Sequence, residues 1–141
     1  MLGGEYQHGL DAKNRLFSPA KFREELGETF IIARSLRENC LKVYSSEEWN
    51  SYVQLMLEKN NRSLQERVLR FLHASMTQVS PDSHGRVLLP KQLVDLAGLK
   101  KDVVIVGCFN YAEIWDAEAY ENYKNKEDVD EMIRELETLG L

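Results

Sequence analysis

The chain has 141 residues, of which 43% are hydrophobic and 29% charged, with a formal net charge of −5. This size suits one compact domain or two small units sharing a core, no run approaches the ~18 apolar residues of a membrane span, and the start "MLGGEYQHGL" lacks the basic-then-apolar order of a secretory signal. Cys40 and Cys108 are the only cysteines and form no CxxC, so they read as buried free thiols in a reducing compartment, not as a disulfide framework.

The first predicted element is a short strand in "EYQHGL", followed by the turn "DAKN" and a second strand "RLFS"; strand, turn and strand predict a hairpin. A short helix follows, with Ser18 as its cap, Pro19 in its first turn and Gly27 at its end. "TFIIARS" and "CLKVYS" predict two apolar strands. The helix "SSEEWNSYVQLMLEK" comes next, with Ser45 and Glu48 as a capping box and Trp49, Tyr52, Val53 and Met56 on one face. "NRSLQERVLRFLHAS" predicts a further helix, with Leu64, Val68, Phe71, Leu72 and Ser75 at helical spacing.

From there the chain repeats itself. A shift of 71 residues places Asp11 on Asp82, Arg15 on Arg86, Pro19 on Pro90 and Gly27 on Gly98. The second half therefore predicts the strand "MTQVS", the turn "DSHG", the strand "RVLL", a short helix, and the strands "DVVIVGC" and "AEIWD". Asn14 and Gly85 hold equivalent turn positions, where positive φ is tolerated best by these residues. The last helix, "KEDVDEMIRELETLG", sets Val129, Met132, Ile133 and Leu136 on one side as a docking stripe and acids on the other; its acidic face argues against anionic lipid. The organisation is thus a first half over 1–58, a linking helix over 59–76, a second half over 77–123 and an acidic C-terminal helix over 124–141. Each half is too small to bury its own sheet. The expected fold is α+β, a pseudo-two-fold β-barrel of two ββαββ units with flanking helices outside.

Charge is unevenly spread. Residues 113–137 hold ten acids and three bases, a local −7 that leaves +2 for the rest. Between Asp11 and Arg23 stand four bases (Lys13, Arg15, Lys21 and Arg23) and one acid, and a ligand meets the local surface, not the average. His8, His73 and His84 show no metal-ligand spacing with one another or with a Cys. No P-loop, dinucleotide fingerprint or GxSxG elbow is present. The chain is therefore expected to be no enzyme and to need no cofactor or metal.

An Asp opening a turn can simply shape the loop, but that does not explain an Arg four residues on, twice. An Asp that tethers an Arg aims a planar guanidinium, and a positioned Arg contacts phosphate or guanine O6 and N7. A β-ribbon fits a major groove about 12 Å wide. Lys13 and Lys21 add phosphate neutralisation, and His84 in its turn is a surface residue or a ligand contact.

At "GEYQHGLDAKNRLFSPAKFREELG", "CLKVY", "EEW", "GRVLLP", "AGLKKDVVIVG" and "EIW" the chain resembles the MraZ family of bacterial transcription regulators, from Gly4 to about Tyr123. The family's halves are similar to the DNA-binding units of AbrB and SpoVT. The resemblance implies an AbrB-like, swapped-hairpin-like barrel and a ring-shaped homo-oligomer. It also implies binding to double-stranded DNA at short direct repeats upstream of the division and cell-wall gene cluster, which often includes the regulator's own gene. The family's DxxxR motifs form the DNA-binding face, here Asp11 to Arg15 and Asp82 to Arg86. The family's usual "DAKGR" is "DAKNR" here, and Asn14 can adopt the same left-handed turn. The expected DNA-binding residues are Asp11, Lys13, Asn14, Arg15, Lys21, Asp82, His84, Gly85 and Arg86. The expected function is a repressive regulator in the cytoplasm and nucleoid. The rivals are a ring-forming scaffold in cell division and, more weakly, an RNA binder, which would want stacking aromatics that the turns lack.

Overall fold

The structure, a computed structural model, describes residues 1–141. The first half runs β1 (Glu5–Gly9), β2 (Arg15–Phe17), α1 (Ala20–Leu26), β3 (Phe30–Arg34), β4 (Leu41–Ser45), α2 (Ser46–Leu57) and α3 (Arg62–Ser75). The second repeats that order as β5 (Thr77–Val79), β6 (Arg86–Leu88), α4 (Lys91–Leu96), β7 (Asp102–Gly107), β8 (Ala112–Asp116), α5 (Ala117–Lys126) and α6 (Val129–Thr138). The fold is mixed α+β, and all of its strand pairs are antiparallel.

The halves exchange strands. A six-stranded sheet has the order β1-β7-β8-β4-β3-β5, and a separate two-stranded ribbon pairs β2 with β6. Each half's first strand thus lies on the other half's sheet: Tyr6 faces Ile105, and Gln78 faces Ile31. This corrects the expected hairpins. The chain closes only at the turns, where Asp11 N–H donates to the Arg15 carbonyl at 3.1 Å and Asp82 N–H to that of Arg86 at 2.8 Å. Beyond each turn the strands part, because each opposite half offers an open sheet edge whose backbone groups need partners.

Alternation along the strands sorts two cores. Phe30 and Ile32 join Val43, Val103, Ile105 and Ile114 in the main core, under Leu16 and Val87 of the ribbon and Phe22, Leu26 and Leu93 of the short helices. Ile31, Ala33 and Tyr44 face the other way, toward Trp49 of α2 and Leu72 of α3. On that same side Trp115 meets Tyr120 and Tyr123 of α5, with ring centroids 5.5 and 4.9 Å away. The sheet therefore separates the ribbon with α1 and α4 from the layer of α2, α3 and α5.

Several local expectations shift. Ser45 does cap α2, accepting from Glu48 N–H at 3.1 Å. Ser18 does not cap α1: it is buried, and its N–H donates to the Gly85 carbonyl at 2.9 Å while Pro19 takes the cap position. Pro90 likewise stands at the cap of α4, one step before its first turn. Of the five α3 positions expected on one face, Val68, Leu72 and Ser75 turn inward, whereas Leu64 and Phe71 are exposed. The acidic helix starts at Val129 with Asp128 as its cap, since Lys126 still belongs to α5. Its apolar stripe docks on nothing within the chain: every residue from Glu121 to Leu141 is exposed. No helix is long and apolar enough to cross a membrane.

Candidate nucleic-acid interface

Both DxxxR motifs fold into the same clamp. Asp11 Oδ1 accepts from the N–H of Lys13 at 2.9 Å and of Arg15 at 2.8 Å, and its Oδ2 accepts from Arg15 Nε at 2.7 Å. Asp82 Oδ1 accepts from His84 N–H at 2.9 Å and Arg86 N–H at 2.9 Å, and Oδ2 from Arg86 Nε at 3.1 Å. One carboxylate thus shapes the turn and aims the guanidinium. It uses only Nε, so both terminal nitrogens of each Arg stay free for another partner.

The ribbon register sets the two arginines on one surface. Arg15 pairs with Leu88, Leu16 with Val87 and Phe17 with Arg86. Side chains alternate, so Leu16 and Val87 enter the core while Arg15, Phe17, Arg86 and Leu88 face outward together. Arg15 and Arg86 are diagonal neighbours, roughly 7–8 Å apart at their backbones. The turns are also stapled to each other: the Gly85 carbonyl accepts from Ser18 N–H at 2.9 Å, and that of Asn14 from Leu89 N–H at 2.8 Å. Lys13 and His84 are exposed in the two turns beside this surface. The structure therefore brings together the ribbon and turn residues anticipated from the sequence, whereas Lys21 is exposed on α1, two residues before the Arg23 that faces the ribbon.

Arg23 of α1 was not singled out from the sequence. Its guanidinium lies 5.5 Å from the Phe17 ring centroid and covers Gly85, where an added Cβ would sit 2.9 Å from Arg23 Cζ. The repeat hides it, because the equivalent position is Val94, a core residue. The basic run from Lys13 to Arg23 was the available signal. Arg23 also accounts for the turn asymmetry. Asn14 and Gly85 have φ of 59° and 77°, but only Gly85 has a guanidinium against it. Gly85→Ala is expected to destabilise the fold by about 1–2 kcal/mol and displace Arg23, whereas Asn14→Gly shifts stability by less than about 1 kcal/mol. Denaturant titration of both variants checks this.

The clamps have a defined pH range. The Arg15 N–H beside Asp11 and the Arg86 N–H beside Asp82 are the largest causes holding these carboxyls below their ordinary 3.8. A depressed carboxyl contributes stability above its unfolded value and loses it as pH falls through the folded one. Both clamps should therefore hold from neutral pH down to about 4. The Nε–H signals of Arg15 and Arg86 are expected to stay protected in NMR spectra from pH 7 to 5 and to be lost only in stronger acid.

A second polar cluster lies elsewhere. Ligand atoms of Glu38, Cys40 and Glu113 fall within 4.8 Å of one another, a proximity that no sequence spacing signals. Glu38 already accepts from Ser35 Oγ at 3.0 Å and Glu113 from Trp115 Nε1 at 3.1 Å. Burial first, then the nearby carboxylates, pushes the Cys40 thiol up, so it stays protonated as a core residue. Burial also lifts the partly covered Cys108 to about 11.

Fold and site together define a tandem protein with two fused, strand-exchanging halves that present one cationic ribbon bearing two Asp-tethered arginines. The MraZ protein family is matched twice along the chain, over residues 1–72 and 71–137. The chain belongs to that family. It is 40% identical over 149 residues to the transcriptional regulator MraZ of Acetivibrio thermocellus, covering all of both chains. It is 38% identical over 144 residues to that of Clostridium tetani, again over all of both chains. The Dictyoglomus turgidum protein of the same name is 39% identical over 137 residues, 96% of this chain and 93% of that one. These relatives carry the name of a regulator, not of an enzyme.

Proposed function

We propose that this chain is a sequence-specific, DNA-binding transcription regulator that acts as a repressor from the cytoplasm and nucleoid. The observation that carries the reading is the pair of Asp–Arg clamps on one ribbon, each leaving its terminal guanidinium nitrogens free. A spacing of roughly 7–8 Å corresponds to about two base steps at 3.4 Å per strand. Two arginines so placed can address neighbouring positions in one major groove. Lys13 and Arg23 lie beside them and suit phosphate contacts, and we assign the exposed Lys21 of α1 to a further phosphate. The exchange of β1 and β5 between halves supports the further reading of an AbrB-like, swapped-hairpin barrel, in which the ribbon is the recognition element. We read the target as short direct repeats upstream of the division and cell-wall gene cluster, bound by a ring-shaped homo-oligomer.

The test is a footprint on DNA upstream of the chain's own gene, at stated salt, since phosphate-driven affinity is uninterpretable without it. Protection over a set of short repeats is the expected result. Uniform, sequence-independent protection would reduce the ribbon to a general phosphate binder.

A further inference from the structure

The two halves match element for element up to their last helices, and there they diverge. α3 closes the first half by laying Val68, Leu72 and Ser75 against the sheet and α2. α6 holds the equivalent place in the second half, yet it packs on nothing. Val129, Met132, Ile133 and Leu136 lie on one side of it and expose 65, 40, 47 and 45% of their surface. A stripe of this kind on a short helix is built to be covered.

The surface that complements it is on the same chain's α3. Leu64 and Phe71 are 46 and 49% exposed there, and helical spacing puts Arg67 between them, with Arg70 on the adjoining edge. Arg34 adds a third cation, its guanidinium 4.2 Å from the Phe71 ring centroid. None of these three arginines has a carboxylate within ion-pair distance. Residues 127–137 hold six acids and one base, and Asp130, Glu135 and Glu137 flank the apolar stripe. One face is apolar and cationic; the other is apolar and anionic.

We infer that α6 of one copy docks on the α3 face of the next. The occupant is a second copy of this chain, because the two surfaces complement each other and neither complements itself. Such a contact is heterologous, and repeated by rotation it closes into a ring. The inference rests on the reading of this chain as a ring-shaped oligomer and names the surfaces that would build it.

The experiment is sedimentation of the full chain and its variants, with circular dichroism as the check on folding. Arg67→Glu with Arg70→Glu reverses the α3 face, and Glu135→Lys with Glu137→Lys reverses the α6 face. Each pair alone is expected to reduce the assembly to smaller species. An equimolar mixture of the two variants is expected to regain the wild-type size, since every α3–α6 contact between unlike chains is again complementary. Ile133→Glu, which leaves α3 untouched, should also disassemble. Three results overturn the inference while leaving the ring standing: wild-type size in both charge-reversed variants and in Ile133→Glu; no recovery in the mixture; or unchanged size with weakened DNA binding in the α3 variant alone, which would assign that face to DNA. Recovery only when all four changes share one chain would show α6 folding onto its own α3, and would also overturn it. A monomeric wild type would instead remove the ring reading itself, and the docking with it.

Discussion

Replacing Arg15 and Arg86 together by alanine is expected to abolish specific DNA binding while leaving fold and assembly unchanged. Each side chain lies outside the core: it faces outward from the ribbon, opposite Leu16 and Val87, which are buried. Each lost base contact costs about 1–3 kcal/mol, and the pair should raise Kd on the order of 10²–10⁴-fold. The loss should fall mainly on cognate DNA. Lys13→Ala should instead weaken all sequences alike and flatten the salt dependence. Asp82→Asn separates aim from charge. It keeps an oxygen for the His84 and Arg86 N–H groups but gives up the charge-assisted bond to Arg86 Nε. Weaker binding of cognate DNA identifies Asp82 as a positioning residue. Tighter binding at every salt concentration and sequence would mean that the carboxylate merely repels phosphate. Gel-shift titration with circular dichroism reads all of these, and wild-type affinity in a folded double-arginine variant would end the clamp hypothesis.

The second large effect concerns phasing. One ribbon offers few base contacts, so a single subunit should bind weakly. An oligomer on several direct repeats links weak events, and avidity exceeds single-site affinity by roughly 10²–10⁴. Repeats in one direction suit subunits related by rotation, and a spacing near 10 bp keeps successive sites on one face of the duplex. Inserting about half a helical turn between repeats should forfeit most of that gain, and a full turn less of it. Equal affinity for one isolated repeat and for the intact array would show that linkage plays no part.

Much of this arrangement is legible in the residues. Asp, Arg and Pro at the same spacing twice identify the turns, the outward arginines and the approach to each short helix. Strand partners are not legible in the same way. The period-two alternation of Glu5–Gly9 presents the same inner face whether that strand pairs with its own half or with the other, so a hairpin and an exchanged strand read alike. Arg23 is obscured for the opposite reason: it stands where the repeat breaks, opposite Val94, and a search for matching positions passes over it. The stripe on α6 is evident from its spacing. What covers it is not, because amphipathicity says that a face will be buried and not which chain will bury it.

The exchange of first strands also governs how the molecule comes into being. The strand at Glu5–Gly9 finds its hydrogen-bonding partner at Asp102–Gly107. At roughly 5–20 residues per second, a ribosome makes that partner on the order of 5–20 s after the first strand. Through that interval the nascent chain carries an extended segment with no ladder to join. Neither half is a finished folding unit, and the central sheet can assemble only near the end of translation. Residues that keep this early strand soluble, such as Glu5, Gln7 and His8, are thus under a demand that the finished fold does not reveal.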